Sequence, residues 1–449
     1  MSAPYYSDSV PAQTPKQLDR RIVALALPAL GALIAEPAFL LLDTALIGHL
    51  GAEELAGIGI GQVVLHTITG LLIFLAYATT PRVARLLGSG NRPAAIQAGL
   101  DGIWLALGVG VLLLVFIPLA HPITSVFGAE DRVTHLGSSY LAISVLGLPA
   151  MLMVLAATGL LRGLQDTKTP LVVATIGFAA NGAMSVLFIY GFGWGVPGSA
   201  IGTVIAQWGM AAFFIWFSMR EARRNGISIW PTARGVRASI GFGGWLFLRA
   251  LWLRLALLAT TFIATSAGTE VLAATQIAFT LFSTLAFALD ALAIAGQAMI
   301  GKALGASDPE ETRAITRRLI RWGVWCGVIV GVLLAASSPV LGFVFTSHDG
   351  VLAILPWALL ALAIGQPVAG VVFVLDGVLI GAGDARYLAW TGIVNLGVYL
   401  PLLALALFAG ADSVALLTIW AAFSLGYLGA RLVTLVLRAR GDRWMVLGA

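Results

Sequence analysis

The chain has 449 residues, of which 59% are apolar and only 10% are charged, and its formal net charge is +5. Soluble domains average about 25% charged residues, so this composition excludes a soluble enzyme, a nucleic-acid binder and a disordered scaffold. Glycine is abundant at 52 residues, and membrane helices use glycine to let neighbouring backbones approach closely. The sequence therefore predicts an all-α polytopic membrane protein.

From Leu18 onward the chain is a series of apolar stretches, each long enough to cross a bilayer, which takes about 20 helical residues. Residues 1–17 are predicted to form a disordered tail, residues 220–237 a basic linker, and residues 439–449 a second tail. The sequence predicts twelve spans, at residues 20–46, 55–80, 94–118, 134–160, 169–191, 196–219, 238–264, 271–300, 316–345, 351–380, 386–408 and 412–437.

The basic residues predict how the chain crosses the membrane. All but three of the 26 Lys and Arg residues fall on the side that holds both chain ends, and the exceptions are Arg132, Arg249 and Arg254. Cytoplasmic loops carry the Lys and Arg excess, so we expect both termini in the cytoplasm and the chain in the cytoplasmic (inner) membrane. The positive net charge is then a topology signal, and no nucleic-acid partner is expected.

The chain also repeats itself. Residues 51–57, 87–91 and 158–163 recur as residues 268–274, 304–308 and 376–381, at offsets of 217, 217 and 218. An offset that spans an even number of helices relates two lobes of the same orientation, here residues 18–219 and 238–438 with six helices each. Parallel repeats are a transporter architecture, with the binding site between the lobes and alternating access by rocking of the lobes.

Ionisable residues inside the spans are informative, because each is costly in hydrocarbon unless it is paired or solvated. Glu36 and Asp43 lie on one face of the first span, roughly 10 Å apart, and Pro37 between them permits a kink. A buried carboxyl group can exchange a proton near neutral pH, and protonation removes the charge that a cavity must solvate. The pair predicts proton coupling at Asp43 and Glu36; the alternative is structural carboxylates hydrogen-bonded to a neighbouring helix.

In the second lobe, Asp290, Asp376, Arg249 and Arg254 fall inside predicted spans. An intramembrane arginine is rarely unpaired, so we expect one of the two arginines to pair with Asp290 or Asp376. Such a pair either fixes helix packing or belongs to an ion- or substrate-binding site. None of the intramembrane acids has an acidic counterpart at the repeat offset, which favours function over packing.

Polar residues on the fifth and sixth spans, namely Asn181, Thr203 and Gln207, are predicted to line a substrate cavity, although hydrogen bonds between helices use such residues equally. The sequence holds no Walker A loop and no Cys/His cluster with metal-ligand spacing. Neither ATP hydrolysis nor a cofactor is therefore expected, and transport would be passive or driven by an ion gradient.

Several motifs resemble a known family. Glu36-Pro37 and the run Asp43-Thr-Ala-Leu-Ile-Gly-His-Leu-Gly51 are similar to the first-helix signature of MATE (multidrug and toxic compound extrusion) transporters. The segment Leu161-Arg-Gly-Leu-Gln-Asp-Thr-Lys-Thr-Pro170 is similar to that family's approach to helix five. Leu289-Asp-Ala, Gly301-Lys-Ala-Leu-Gly305 and Phe373-Val-Leu-Asp-Gly377 resemble the DinF-like branch.

This resemblance implies a V-shaped pair of six-helix bundles that exports substrates in exchange for cations. In DinF-like members the cation is usually H⁺ and the first-helix aspartate, here Asp43, is the proposed protonation site, with Asn181 and Thr203 in the cavity beside it. Related archaeal members carry a second aspartate where this chain has Ser185, so Glu36 is the candidate substitute. The NorM-like branch uses Na⁺ and acids of the second lobe, which keeps Na⁺ at Asp376 open.

We therefore expect a monomeric antiporter, not an enzyme, that exports amphipathic and cationic organic compounds in exchange for protons. A Na⁺-coupled exporter is one alternative. An exporter of organic anions or lipid-linked precursors, with Arg249 and Arg254 binding the anion, is another. An integral-membrane enzyme acting on lipids is the remote one.

Overall fold

The computed structural model describes residues 14–72 and 74–448, with the side chains of Glu36 and Phe74 outside that description. Eleven of the described helices are long and apolar enough to cross a membrane, and a pair bent by 48° supplies a twelfth. This all-helical architecture confirms the predicted fold class. The spanning helices are α1 Pro15–Gly48, α2 Ala52–Leu72 with Phe74–Gly88, α3 Arg92–Leu113, α4 Asp131–Val145 with Leu148–Gly163, α5 Lys168–Gly191, α6 Gly195–Arg224, α7 Ala233–Ala267, α8 Thr269–Gly305, α9 Pro309–Val344, α10 Asp349–Gly381, α11 Ala385–Phe408 and α12 Asp412–Arg440. A short helix, Phe116–Ser125, lies between α3 and α4 in the chain.

Helix α1 begins at Pro15 rather than at residue 20, because Thr14 caps it. The side chain of Gln17 accepts a hydrogen bond from the Thr14 backbone N–H at 2.8 Å, and the Thr14 hydroxyl oxygen accepts one from the Gln17 N–H at 3.4 Å. The predicted disordered tail is therefore wrong for residues 14–17, and its residues 1–13 lie outside the described part of the chain.

The predicted linker 220–237 is mostly helical, since α6 continues to Arg224 and α7 begins at Ala233. The segment that does connect them, residues 225–232, is tied to the first lobe through the buried carboxylate of Asp101 in α3. Asp101 accepts from the Thr232 N–H at 2.7 Å and from its hydroxyl at 2.9 Å. Thr232 in turn caps α7 by accepting from the Gly235 N–H at 3.1 Å.

The internal repeat is visible in the backbone of the connecting turns. Gly90 and Ser307 stand 217 residues apart and both have positive φ, at 79° and 59°. Gln165 and Gly383 stand 218 residues apart and have φ of 68° and 82°. Left-handed backbone is uncommon for residues other than glycine, so its recurrence at Ser307 and Gln165 reflects a turn geometry that both lobes share.

The two lobes meet where the end of α2 crosses the end of α8, and the crossing is itself symmetric. A Cβ added to Gly88 would lie 2.0 Å from the carbonyl oxygen of Lys302, and one added to Gly305 would lie 1.9 Å from that of Arg85. Such distances are impossible for a real side chain, so glycine is required at both positions. We call this side of the bundle, where α2 and α8 end and α1 and α9 begin, the basic end.

Ion pairs and the chain terminus also join the lobes at the basic end. Asp19 of α1 accepts from Arg318 and from the Trp322 indole, both of α9, and Arg21 contacts Glu311 at 2.9 Å. The predicted second tail is partly helical and packed, since α12 ends at Arg440, Trp444 is buried and the Gly448 N–H donates to Leu304 at 3.0 Å. The basic end is therefore closed by contacts between the lobes.

Candidate functional site

A cavity of about 230 Å³ lies inside the first lobe, enclosed by α1, α2, α4, α5 and α6. Much of its wall is apolar, including Leu33, Phe178, Met210 and Phe214. All of its described lining residues belong to the first lobe, so this cavity is not the predicted site between the lobes. At the basic end, the space between the two lobes is filled by the crossing of α2 and α8. The polar lining residues are Gln62, His66, Thr69, Tyr77, Tyr140, Ser144, Thr158, Arg162, Asn181, Thr203 and Gln207.

Asp43 is connected to this cavity by a short chain of polar side chains. The carboxylate is only 1% exposed; it accepts from the Ser199 hydroxyl at 2.8 Å and lies 3.5 Å from the Ser185 hydroxyl. Ser185 is also 3.5 Å from the amide oxygen of Asn181, which is 3.3 Å from Thr203. Because Asn181 and Thr203 line the cavity, this chain links the buried carboxyl group to the cavity wall.

Ser199 is a residue of this network that the sequence reading missed. It lies between Gly198 and Gly202 near the start of α6, and a Cβ at Gly198 would stand 2.9 Å from the backbone of Phe188. Gly198 and Gly202 form the small-residue spacing that lets membrane helices approach closely. This glycine spacing is the feature of the sequence that indicates Ser199, because a hydroxyl beside a close helix contact is brought against the neighbouring helices.

Gln207 lines the cavity as predicted, at the point where α4 is broken. Pro149 ends the backbone hydrogen bonding of the preceding helix half, and a Cβ at Gly147 would stand 1.9 Å from the Gln207 side-chain oxygen. That oxygen is buried without a hydrogen-bond partner in the described part of the chain, whereas the side chains of Gln62 and Ser144 lie beside the Tyr140 hydroxyl and interact with it. An unsatisfied acceptor therefore borders the cavity.

Arg162 is one of the basic residues predicted on the side of both chain ends, but it lies in a helix and not in a connecting loop. It occupies the last turn of α4, is 8% exposed and lines the cavity. Next to it, Tyr77 of α2 donates a hydrogen bond of 2.8 Å to Asp290 of α8. Asp290 therefore joins the two lobes through a tyrosine, which no sequence spacing indicated.

The other acid of the second lobe is held by two arginines. Arg249 donates through two nitrogens to both oxygens of Asp376, and Arg431 contacts one of these oxygens at 3.0 Å. The expected pairing is thus present for Arg249. Arg431, which the sequence predicts at the basic end, is instead half-buried in this triad, because it lies within α12 where that helix packs beside α10.

Arg254 has neither a hydrogen bond nor an ion pair among the described residues, and its guanidinium stands 3.1 Å from a Cβ added at Gly70 of α2. It does not belong to the Asp376 triad. The predicted role of Glu36 falls on a side chain outside the described residues and stays a prediction.

Known proteins resemble this chain over most of its length. The MatE family model matches residues 28–187 and 247–405, one match in each lobe. The chain is 29% identical to DNA damage-inducible protein F of Escherichia coli (strain K12), with 82% of this chain and 81% of that protein covered. It is 28% identical to Protein DETOXIFICATION 45, chloroplastic, of Arabidopsis thaliana, over 86% of this chain and 72% of that one.

Among solved structures, the bent form of the Vibrio cholerae MATE transporter VcmN superposes with a TM-score of 0.86. It is 22% identical to this chain, with 96% of this chain and 99% of that one covered. The fold of this chain is therefore that of a MATE transporter structure. Because the family model matches both lobes and more than half of the residues, this chain belongs to the MATE family of multidrug efflux transporters.

Proposed function

We propose that this protein is a proton-coupled antiporter that exports amphipathic organic compounds, with Asp43 as the coupling group and the cavity of the first lobe as the substrate site. One observation carries the proposal. Asp43 is a buried carboxyl group that contacts two hydroxyls and, among the described residues, no cation. An unpaired charge away from water carries a desolvation cost that protonation removes.

The same network suggests how protonation would act on the cavity. A protonated Asp43 can donate as well as accept, so proton uptake adds a donor to the polar chain that runs through Ser199, Ser185 and Asn181. Two prolines, Pro28 and Pro37, interrupt α1, and such interruptions allow a helix to bend. Protonation from outside would bend α1, narrow the cavity and release substrate, and proton loss toward the cytoplasm would reset it.

A role for Na⁺ at Asp376 has less support. Both of its carboxylate oxygens accept hydrogen bonds from arginines, so a cation would have to displace two guanidinium groups that hold the oxygens it needs.

The positive-inside rule favours a cytoplasmic basic end, with both termini in the cytoplasm and the chain in the inner membrane. The predicted cationic charge of the cargo has little support, since the described lining residues include one arginine and no carboxylate.

The test uses purified protein in liposomes and two probes that share one ring, naphthalene-2-sulfonate and naphthalen-2-yl-trimethylammonium. Export of both is followed under imposed pH or Na⁺ gradients for the wild type, Asp43→Asn and the matched variant Asp442→Asn, whose carboxylate is solvent-exposed. We expect a pH gradient to drive export of at least one probe, with this coupling lost in Asp43→Asn only. Wild-type rates in Asp43→Asn under every pH gradient, or export driven by Na⁺ alone, would overturn the proposal.

A further inference from the structure

The cavity holds a buried positive charge, the guanidinium of Arg162, that forms no direct ion pair with any described residue. Arg162 is more than nine-tenths buried and lines the cavity, yet it has neither a hydrogen bond nor a salt bridge within the described part of the chain. Removing a charged group from water without a partner is strongly unfavourable. A buried guanidinium of this kind is therefore expected to find its partner in something that enters the cavity.

The neighbouring acid does not provide that partner. Asp290 lies within electrostatic range of Arg162, but it is not an ion-pair partner, and its oxygen Oδ2 accepts from the Tyr77 hydroxyl. Asp43 is linked to Asn181, which lies 13 residues into α5 and so about 20 Å from its start. Arg162 lies in the last turn of α4, six residues before α5 starts. Arg162 and Asp43 therefore stand at opposite ends of the cavity.

Between these ends the wall fits an apolar body with a few polar atoms. Phe178, Met210 and Phe214 are large apolar lining residues, and the unsatisfied side-chain oxygen of Gln207 offers an acceptor. A volume of about 230 Å³ is below the roughly 300–1,000 Å³ of most drug-sized sites. In this conformation the cavity therefore suits a compact molecule of one or two rings.

We propose that Arg162 is the binding site for the acidic headgroup, a carboxylate, sulfonate or phosphate, of an amphipathic organic anion whose apolar body lies along α5 and α6. A guanidinium recognises such groups through two parallel N–H···O bonds. This inference rests on the proposed export function for its biological meaning, but the binding site itself does not depend on proton coupling.

The charge of the cargo has a consequence for energetics. If one proton enters for each monovalent anion that leaves, two positive charges move inward per cycle, so an inside-negative membrane potential drives export. Exchange of one proton for one monovalent cation moves no net charge. We therefore expect an inside-negative potential, imposed with K⁺ and valinomycin, to accelerate export of the sulfonate probe and to leave export of the trimethylammonium probe unchanged.

Binding is measured by equilibrium dialysis of the same two probes against the purified full chain in a non-ionic detergent, at constant pH. We expect the wild type to bind the sulfonate more tightly than the trimethylammonium ion. Arg162→Gln should weaken sulfonate binding about tenfold or more, as for loss of a charge-assisted hydrogen bond, and Arg162→Lys should restore much of it. Size-exclusion profiles establish that each variant is folded.

Arg254→Gln is the matched control, because it removes another intramembrane guanidinium that does not line the cavity, and we expect it to leave sulfonate binding unchanged. Tighter binding of the trimethylammonium probe by the wild type, or equal losses in Arg162→Gln and Arg254→Gln, overturns the proposal. Sulfonate binding without pH-driven transport counts against proton coupling and leaves the anion site standing. Competition by phosphatidylglycerol identifies a lipid headgroup as the anion, and lack of competition a soluble compound.

Discussion

The two lobes share a backbone plan but differ in what occupies the same place inside them. Asp43 corresponds to Thr260 at an offset of 217, and Asn181 to Tyr399 at 218. In the first lobe these positions belong to a polar network beside a cavity, whereas the hydroxyls of Thr260 and Tyr399 lie 2.6 Å apart in a closed contact. Aromatic rings fill the space around this contact in the second lobe: Phe279, Phe282, Trp420, Phe423 and Tyr427.

The charges of the two lobes differ in the same way. Asp376 is paired with two arginines around a cavity of only about 20 Å³, and its counterpart at the repeat offset is the cavity residue Thr158. Arg162 corresponds to the apolar Ile380. Satisfied charges stabilise a rigid bundle, whereas unsatisfied ones are available to a proton or a ligand. At these equivalent places in one duplicated scaffold, the first lobe therefore holds an open cavity with unpaired groups, whereas the second lobe holds a filled and paired one.

The largest expected effect on stability comes from Asp376→Asn, which would remove a buried carboxylate and leave the half-buried Arg249 and Arg431 without their counter-charge. Breaking a buried pair in this way costs about 3–5 kcal/mol, and the thermal unfolding midpoint in detergent should fall accordingly. Asp442→Asn is the control, because its pair with Arg313 is solvent-exposed and should contribute little. If Asp43→Asn destabilises the protein as much as Asp376→Asn does, the contrast between an unpaired Asp43 and a paired Asp376 is wrong.

An intermediate effect is expected at the crossing of α2 and α8, where the two lobes contact each other through equivalent glycines. Gly88→Ala and Gly305→Ala each insert a methyl group into the opposing backbone, and overpacking of this kind costs about 1–3 kcal/mol. Both should lower the unfolding midpoint by similar amounts and weaken closure of the basic end. Gly244→Ala in α7 meets open space and serves as the control; strongly unequal effects of the two crossing variants would contradict the symmetry.

The smallest expected effect comes from Thr260→Val, which leaves the buried Tyr399 hydroxyl without its contact. We expect a loss of roughly 1 kcal/mol in stability, as for one internal hydrogen bond, with proton-coupled export retained. Thr261→Val is the matched control, since that hydroxyl only contacts the backbone of Leu257 in its own helix. Loss of proton coupling in Thr260→Val would show that the second lobe takes part in the coupling step.

Several features of this fold could be predicted from the sequence because they are local. Apolar length predicts spans, and every predicted span overlaps a helix, although capping residues such as Thr14 extend the helices beyond the apolar stretch. The repeat offset predicted equivalent turns, and the positive φ angles of Ser307 and Gln165 occur at matching places. Asn181, Thr203 and Gln207 could be placed in the cavity because their position on two neighbouring spans is also local information.

The sequence by itself determined that this chain crosses a membrane through helices, in two related lobes, with unusual acids inside them. Only the tertiary structure decided which of those charges are satisfied. Asp376 is held by Arg249 and Arg431 while Arg162 faces a cavity, although all three arginines look alike in an apolar sequence. The physical reason is that the state of a buried charge depends on the helices that pack against it, and those contacts join residues far apart in the chain.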